Sequence, residues 1–294
     1  MAAISWLGSR PGHIQFGDFL FGPGTPFKWD EIEGWEDTPG IDSGTVLRSS
    51  DHGAWPGVQY AQIRTVTASL IIRAEPGQMQ GTIRQIAAAT PIDAADEVPL
   101  VVLFDDETPL IIFARCTRRA VAVGRSNRTG LTRGSIQFEA SDPRKYTLIE
   151  SQATTELPQP EDGIDFPIVY PIDWGTPGST GNIDATNYGD APTHPLFAIK
   201  GPCSTPSITN LQNGLVLEYD IALDATDTLF VDTQQGTVTL NGTTANRLYT
   251  AATRSVPEGS FVLPPGSSAL AFRSDDNPPN PASTLTVTWR SAYW

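Results

Sequence analysis

Two periods run through this chain, and the shorter one dominates. Residues 62–74, QIRTVTASLIIRA, alternate polar with apolar and are rich in β-branched side chains, which predicts a half-buried strand. HIQFGDFLFG (13–22), VPLVVLFDD (98–106), PLIIFARCTRRAVAVG (109–124) and GLTRGSIQFEAS (130–141) predict further strands. The last two flank GRSNRTG, a turn-forming stretch, and so predict one long hairpin. Only GQMQGTIRQIAAATP (77–91) shows the longer period. There Met79, Ile83, Ile86, Ala87 and Thr90 fall at i, i+4, i+7, i+8 and i+11, an apolar stripe that predicts a helix stopped by Pro91. Between the first two strands, residues 22–44 are dense in Gly, Pro and acids and carry Trp29 and Trp35, which predicts a long loop with a partner or a task. DPRKY (142–146) closes this block.

Residues 151–190 read as a connection, polar and rich in Pro and Gly, with one short apolar strand, FPIVYPI (166–172). Beyond 182 the pattern is all β. Candidate strands at 194–201, 207–210, 215–223, 227–233, 236–242, 259–266, 268–274 and 283–294 recur every 8–12 residues between turn formers, as in an antiparallel sandwich. Leu215, Leu217, Tyr219, Ile221 and Leu223 occupy every second position, so one face of that segment is buried. The fold expected is mainly β, in two domains, 1–146 with one helix and 147–294 with the connection and the sandwich.

Composition agrees. The 294 residues include 26 Gly and 25 Pro, too many for a helical bundle, and 39% are hydrophobic, too many for a disordered chain. The net charge is −14, uneven along the chain: 14 basic against 18 acidic residues in 1–150, and 5 against 15 in 151–294. That sign argues against a nucleic-acid track or an anionic membrane as main partner. Cys116 and Cys203 are isolated thiols, read as small half-buried residues in a reducing compartment. No apolar run approaches the ~20 residues of a bilayer span, so the reading is of a soluble protein made in the cytoplasm.

Candidate chemistry is sparse. His52 lies in RSSDHGAW (48–55) beside Ser49, Ser50 and Asp51, but chain neighbours do not converge as a catalytic triad must. The acids of 31–37 and 105–107 read as solvated turns, and DDNPPN (275–280) lacks the spacing of a calcium loop. No Gly-rich phosphate loop and no Cys/His metal spacing occurs. No catalytic, cofactor or metal site is expected, and the chain does not read as an enzyme.

The clearest charge feature is a run of arginines, Arg115, Arg118, Arg119, Arg125, Arg128 and Arg133, with no acid among them. A nucleic-acid site lacks aromatic interleaving, and a solvated hairpin is the plain alternative. The reading favoured is that these guanidinium groups meet acids of 30–37 or 105–107 on a neighbouring copy. Arg115, Arg118, Arg119, Arg125, Trp29 and Trp35 are the candidate interface residues. Aromatic residues of the C-terminal half, Trp174, Tyr188, Tyr219, Tyr249, Trp289, Tyr293 and Trp294, suggest a rival, a sugar-stacking platform, although Tyr219 and Trp289 sit at core positions of alternating strands.

Taken in order, these segments resemble the distal tail proteins (Dit) of long-tailed siphophages. The resemblance rests on Asp51-His52-Gly53 before a strand, the single helix, DPRKY, and above all NYGDAPTHPLFAIKGPCSTPSITN (187–210), LVLEYDIALDATDTLFVDTQQGTVTLNG (215–242) and FVLPPGSSALAFRS (261–274). It implies a tail-tube-like β domain at the N-terminus, forming a hexameric ring, and a galectin-like sandwich on the outside of that ring. It implies a virion protein that joins the end of the tail tube to the tail hub or fibre, with DNA passing through the lumen unbound, the chain's acidity suiting such a conduit. It carries no catalytic residue and no cofactor. The alternative within the same setting is a carbohydrate-binding, host-recognition module.

Overall fold

The structure, a computed structural model, describes residues 11–93, 95–104, 108–161, 178–242 and 244–294. The predicted strand FPIVYPI, Trp174 and the acids at 105–107 lie outside the described residues. The chain forms two compact units, Met1–Leu148 with Trp294, and Ile149–Tyr293.

In the first unit β1 (His13–Phe16), β2 (Phe19–Phe21), β3 (Phe27–Glu33), β8 (Arg64–Arg73), β9 (Val98–Leu103), β10 (Leu110–Val121) and β11 (Leu131–Ala140) join in the order β2-β1-β9-β10-β11-β8-β3, antiparallel throughout. The short β12 (Lys145–Thr147) pairs with the start of β10. Between β3 and β8 the chain makes a narrow ladder of two pairs, β4 (Ile41–Asp42) with β7 (Tyr60–Ala61) and β5 (Val46–Leu47) with β6 (Ala54–Trp55). Period-2 alternation puts Val66, Ala68, Leu70 and Ile72 of β8 on one face with Ile136 and Phe138 of β11, and Ile86 of the helix joins the same cluster. Each of the valine, leucine, isoleucine and phenylalanine side chains among them contributes about 1.5–3 kcal/mol by leaving water.

The helix α1 (Met79–Ala89) matches its apolar stripe, burying Met79 and Ile86. Its end is fixed by Thr90, whose amide and hydroxyl both donate to the Ile86 carbonyl, at 3.0 and 2.7 Å, before Pro91. Two expectations are corrected here. Segment 13–22 is a hairpin, β1 and β2, reversed at Gly17 with φ +55°. Segment 22–44 is not all loop: it holds β3. A bulge between Trp29 and Glu31 breaks the alternation, so Phe27, Trp29 and Ile32 face one way and the simple period is lost.

Arg64 closes this end of the sheet. It is 1% exposed and donates to the carbonyls of Pro143 (2.6 Å), Gly34 (2.8 Å), Trp35 (2.9 Å) and Asp37 (2.9 Å). The turn 34–37 is thereby tied to the DPRKY segment. Lys145 of that segment also pairs with Glu36 at 3.0 Å.

The second unit is a sandwich. β13 (Ser151–Glu156), β23 (Thr284–Trp289), β15 (Leu196–Lys200), β20 (Thr228–Asp232) and β21 (Thr237–Leu240) form one sheet in that order. β14 (Asn182–Asn187), β22 (Gly266–Arg273), β17 (Ser207–Asn210) and β18 (Val216–Glu218) form the other. β16 (Cys203–Ser204) pairs with β19 (Ala222–Leu223), and β24 (Ala292–Tyr293) ends the unit. Phe197, Ile199, Leu217, Tyr219, Leu229, Val231, Phe272 and Val287 fill the space between the sheets.

β13 and β14 lie within the segment 151–190 that reads in the sequence as a connection. Their inward residues include Ala153 and Ala185, too small to mark a strand by hydrophobicity. Segment 259–266 is corrected the other way. It holds a single 3-10 turn, Glu258–Ser260, and only Leu263 bridges to Thr193, since Pro264 and Pro265 have no N–H to donate. The NYG segment owes its residues to a clamp. Asn187, 1% exposed, donates to the carbonyls of Ala191 and Leu263 and accepts from the amides of Gly189 and Ala292. A Cβ on Gly189 would sit 1.7 Å from the Ala292 carbonyl oxygen, so that position admits glycine alone.

Candidate functional site

Three arginines of the run, Arg115, Arg118 and Arg119, fall on one edge of a smaller sheet within the first unit. β10 is shared. Its first half, Leu110–Ala114, pairs with β9, and its second half, Arg115–Val121, pairs with β11. The second half, β11, β8 and β3 therefore make four strands in sequence, with β3 at one border and residues 115–121 at the other. One face packs on the core. The other carries Thr65, Thr67 and Ser69 beside Ser135 and Gln137, in register, and has no apolar layer over it among the described residues.

The two borders differ in sign. On β3, Glu31 and Glu33 stand on the open face, with Asp30 exposed in the bulge. On β10, Arg115 and Arg118 stand on the same face, opposite Glu139 and Gln137. A second bulge between Cys116 and Arg118 shifts the phase, so Arg118 points out and Arg119 turns in, opposite Ile136. The open face as a whole is mixed, because Lys28, Arg73 and Arg133 share it with the carboxylates. The acidity of the chain does not reside there.

Three of the six candidate interface residues make contacts inside their own copy. Arg119 donates to the Ala87 and Thr90 carbonyls at 3.3 and 2.9 Å, satisfying the end of α1. Trp35 is 2% exposed in the core. Trp29 is half-buried, its indole N–H donating to the Gly12 carbonyl at 2.7 Å and its ring edge-on to Phe104. Sequence reasoning missed this because both bulges reset the alternation by which inward and outward positions are told apart. Arg115, Arg118 and Arg125 are exposed, Arg125 in the 3-10 turn Arg125–Thr129 between β10 and β11.

The other candidates scatter. His52 is exposed near the tip of the β4–β7 ladder, its backbone N–H on the Asp51 carboxylate at 2.7 Å. Tyr219 is buried, its hydroxyl donating to Glu258 at 3.2 Å, and burial pushes the phenol well above its ordinary range. Trp289 is buried too, while Tyr188 and Tyr249 are exposed. Among the described residues no group of three or more His, Cys, Asp or Glu side chains could hold a metal ion, and no helix is long and apolar enough to cross a membrane.

Residues 188–293 match the family described as siphovirus-type tail component, C-terminal domain. No curated protein matches the chain. Among solved structures it is similar to the Dit protein of phage SPP1, described as a paradigm of the hub adsorption apparatus in phages infecting Gram-positive bacteria. The TM-score is 0.65 at 13% identity, covering 96% of this chain and 99% of that one. It is also similar to a chain of the phage p2 baseplate in its activated conformation with strontium, with a TM-score of 0.50 at 8% identity, covering 94% and 97%. Over residues 188–293 the chain thus matches the C-terminal domain of siphovirus-type tail components, and over 96% of its length it is similar in fold to the distal tail protein of phage SPP1.

Proposed function

We propose that copies of this chain close into a ring, β3 of each pairing with residues 115–121 of the next, and that the ring joins the distal end of the tail tube to the tail hub or fibre and leaves a channel for DNA. The observation that carries this reading is a pair of sheet borders that pair with no further strand among the described residues and differ in charge, Glu31 and Glu33 on one and Arg115 and Arg118 on the other. An exposed edge strand is a template for another chain, and proteins that do not use one blunt it. Here the two edges are complementary, and opposite charges across a strand pair contribute about 0.2–1 kcal/mol each.

The strand directions support closure. The four strands alternate, so β3 runs opposite to β10 within one copy. Placed beside the β10 of a neighbour, β3 continues the antiparallel order without a break. Such a contact is head-to-tail, and head-to-tail contacts that close give rings. Copy number sets the bore. Two copies would make eight strands, a barrel filled by its own side chains, whereas six would make a barrel about 50 Å across at the usual ~4.8 Å spacing and ~40° tilt. That hexamer has room for a duplex, and its open face of hydroxyls with mixed charge holds no continuous cationic track for phosphates. The sandwich unit would then meet other tail proteins.

Negative-stain electron microscopy of the purified protein tests the reading. Rings with a central channel are expected. A monomer that persists at high concentration and in the presence of the tail-tube protein removes it.

A further inference from the structure

The sequence holds two Asn-Gly steps, Asn213-Gly214 and Asn241-Gly242, and both lie exposed in turns of the second unit. In such a step the backbone nitrogen of the glycine can attack the side-chain carbonyl carbon of the asparagine, since glycine has no Cβ to obstruct the approach. Whether it does so depends on where the side chain is held, because a reaction within one chain follows the geometry in which its atoms already meet. The two steps are held in opposite ways.

Asn213 lies in the turn between β17 and β18. Its side-chain oxygen accepts from the amide of Leu215, two residues ahead, at 3.0 Å. That bond turns the side-chain carbonyl toward the backbone that follows it. It also aims the Leu215 N–H at the oxygen on which negative charge develops during attack. Nδ2, the group that leaves, has no hydrogen bond among the described residues. Gly214 takes φ +72° and has open space beside its Cα. One bond restrains the nucleophile, from the Gly214 N–H to the Asn210 carbonyl at 2.8 Å. Asn241 is turned the other way, toward the start of β20. Its side-chain oxygen accepts from the amide of Thr228 at 2.8 Å, and its Nδ2 donates to the Asp227 carboxylate at 2.9 Å. The hydrogen bond from Asn241 helps to hold that carboxyl below its ordinary range, so the acceptor is ionised at neutral pH. The Asn241 backbone N–H donates to the Thr228 carbonyl at 2.7 Å. Three bonds thus tie Asn241 to the neighbouring strand rather than to the backbone ahead of it.

We propose that Asn213 is a self-modification site, converting through a cyclic imide with Gly214 into aspartate and isoaspartate, and that Asn241 is locked against the same reaction. The Gly214 nitrogen gives up its proton and bonds to Cγ of Asn213. The Cγ–Nδ2 bond breaks, and that nitrogen takes up a proton and leaves as ammonia. Water then opens the imide at either of its carbonyls. One side-chain amide and one water become one carboxylic acid and one ammonia, and nothing is oxidised or reduced. Each event adds a negative charge to the turn between β17 and β18, and the isoaspartate form lengthens the backbone of that turn by one carbon.

The test holds the full chain in mildly alkaline buffer at physiological temperature. Peptide mapping by mass spectrometry reads the amide-to-acid change at each step, and isoaspartyl methyltransferase labelling reads the isomer. Asn213 should convert at least about 10-fold faster than Asn241, with both isomers among its products. In concentrated urea, which removes both turns, the two steps should convert at similar rates. Asp227→Ala, which takes away the acceptor of the Asn241 Nδ2, should speed Asn241 by at least about 3-fold and leave Asn213 unchanged. No conversion at Asn213, equal rates in the folded chain, or aspartate as its sole product overturns the proposal. A difference that persists in urea assigns it to the neighbouring residues and overturns it as well, and an unaltered Asn241 in the Asp227 variant overturns the lock.

Discussion

Arg119 donates to the carbonyl of Thr90 at 2.9 Å, so the strand that carries the basic border of the sheet also closes the single long helix. Arg118, its neighbour beyond the bulge, faces the other way. Two adjacent arginines thus do separate jobs. Arg119→Ala should destabilise the first unit by about 1.5–3 kcal/mol, the range for hydrogen bonds from a charged donor. Arg118→Ala should change stability by less than about 0.5 kcal/mol, as exposed sites do. Urea denaturation of the two variants reads the difference, and equal losses would contradict it.

Arg64 is the support on which the ladder stands. Arg64→Met keeps the buried stem but leaves the carbonyls of Gly34, Trp35 and Asp37 without their donor. A loss of about 3 kcal/mol is expected, several buried acceptors being orphaned at once. Hydrogen exchange should rise first in residues 34–40, ahead of global unfolding.

Acid should act on the first unit through Asp142. Burial alone would push this carboxyl up, but the ion pair with Arg144 at 2.8 Å and the hydroxyl of Tyr146 more than offset it, so its pKa lies below the ordinary carboxylate range. A depressed folded value means stability that is present above the unfolded pKa, near ~3.9, and is lost as pH falls from there through the folded value. Asp142→Asn should therefore flatten the stability profile of the first unit below about pH 4. An unchanged acid profile would show that Asp142 is not the linked group.

In the second unit, Gly189→Ala places a methyl group against the Ala292 carbonyl oxygen. A loss of about 3 kcal/mol is expected from the forced backbone shift, and a thermal scan should lower the unfolding step of that unit alone.

Where a turn signal or a sustained period marked an element, the sequence was enough to place it. The long β10–β11 hairpin, the helix to within two residues at each end, and the alternating strands of the sandwich were all legible. Legibility failed where one residue resets the phase, at the bulges beside Trp29 and Cys116, and where inward residues are small, as in β13 and β14. The same two bulges decided the candidate site. From spacing alone Arg115, Arg118 and Arg119 form one patch, whereas the shifted register separates the pair on the open face from the one on the helix. The acid partner strand was hidden because Phe27–Glu33 does not alternate cleanly.

The most direct measurement of the central claim is mass determination in solution of two charge-reversed chains, Arg115→Glu with Arg118→Glu, and Glu31→Arg with Glu33→Arg. Each alone sets like charges across every joint, while a mixture restores opposite charges at all of them if copies alternate. The account predicts rings for the wild type, monomers for either variant alone, and closed rings of even copy number for the equimolar mixture. Rings from either variant alone at wild-type concentration, or a mixture that stays monomeric, would contradict the pairing of these two borders.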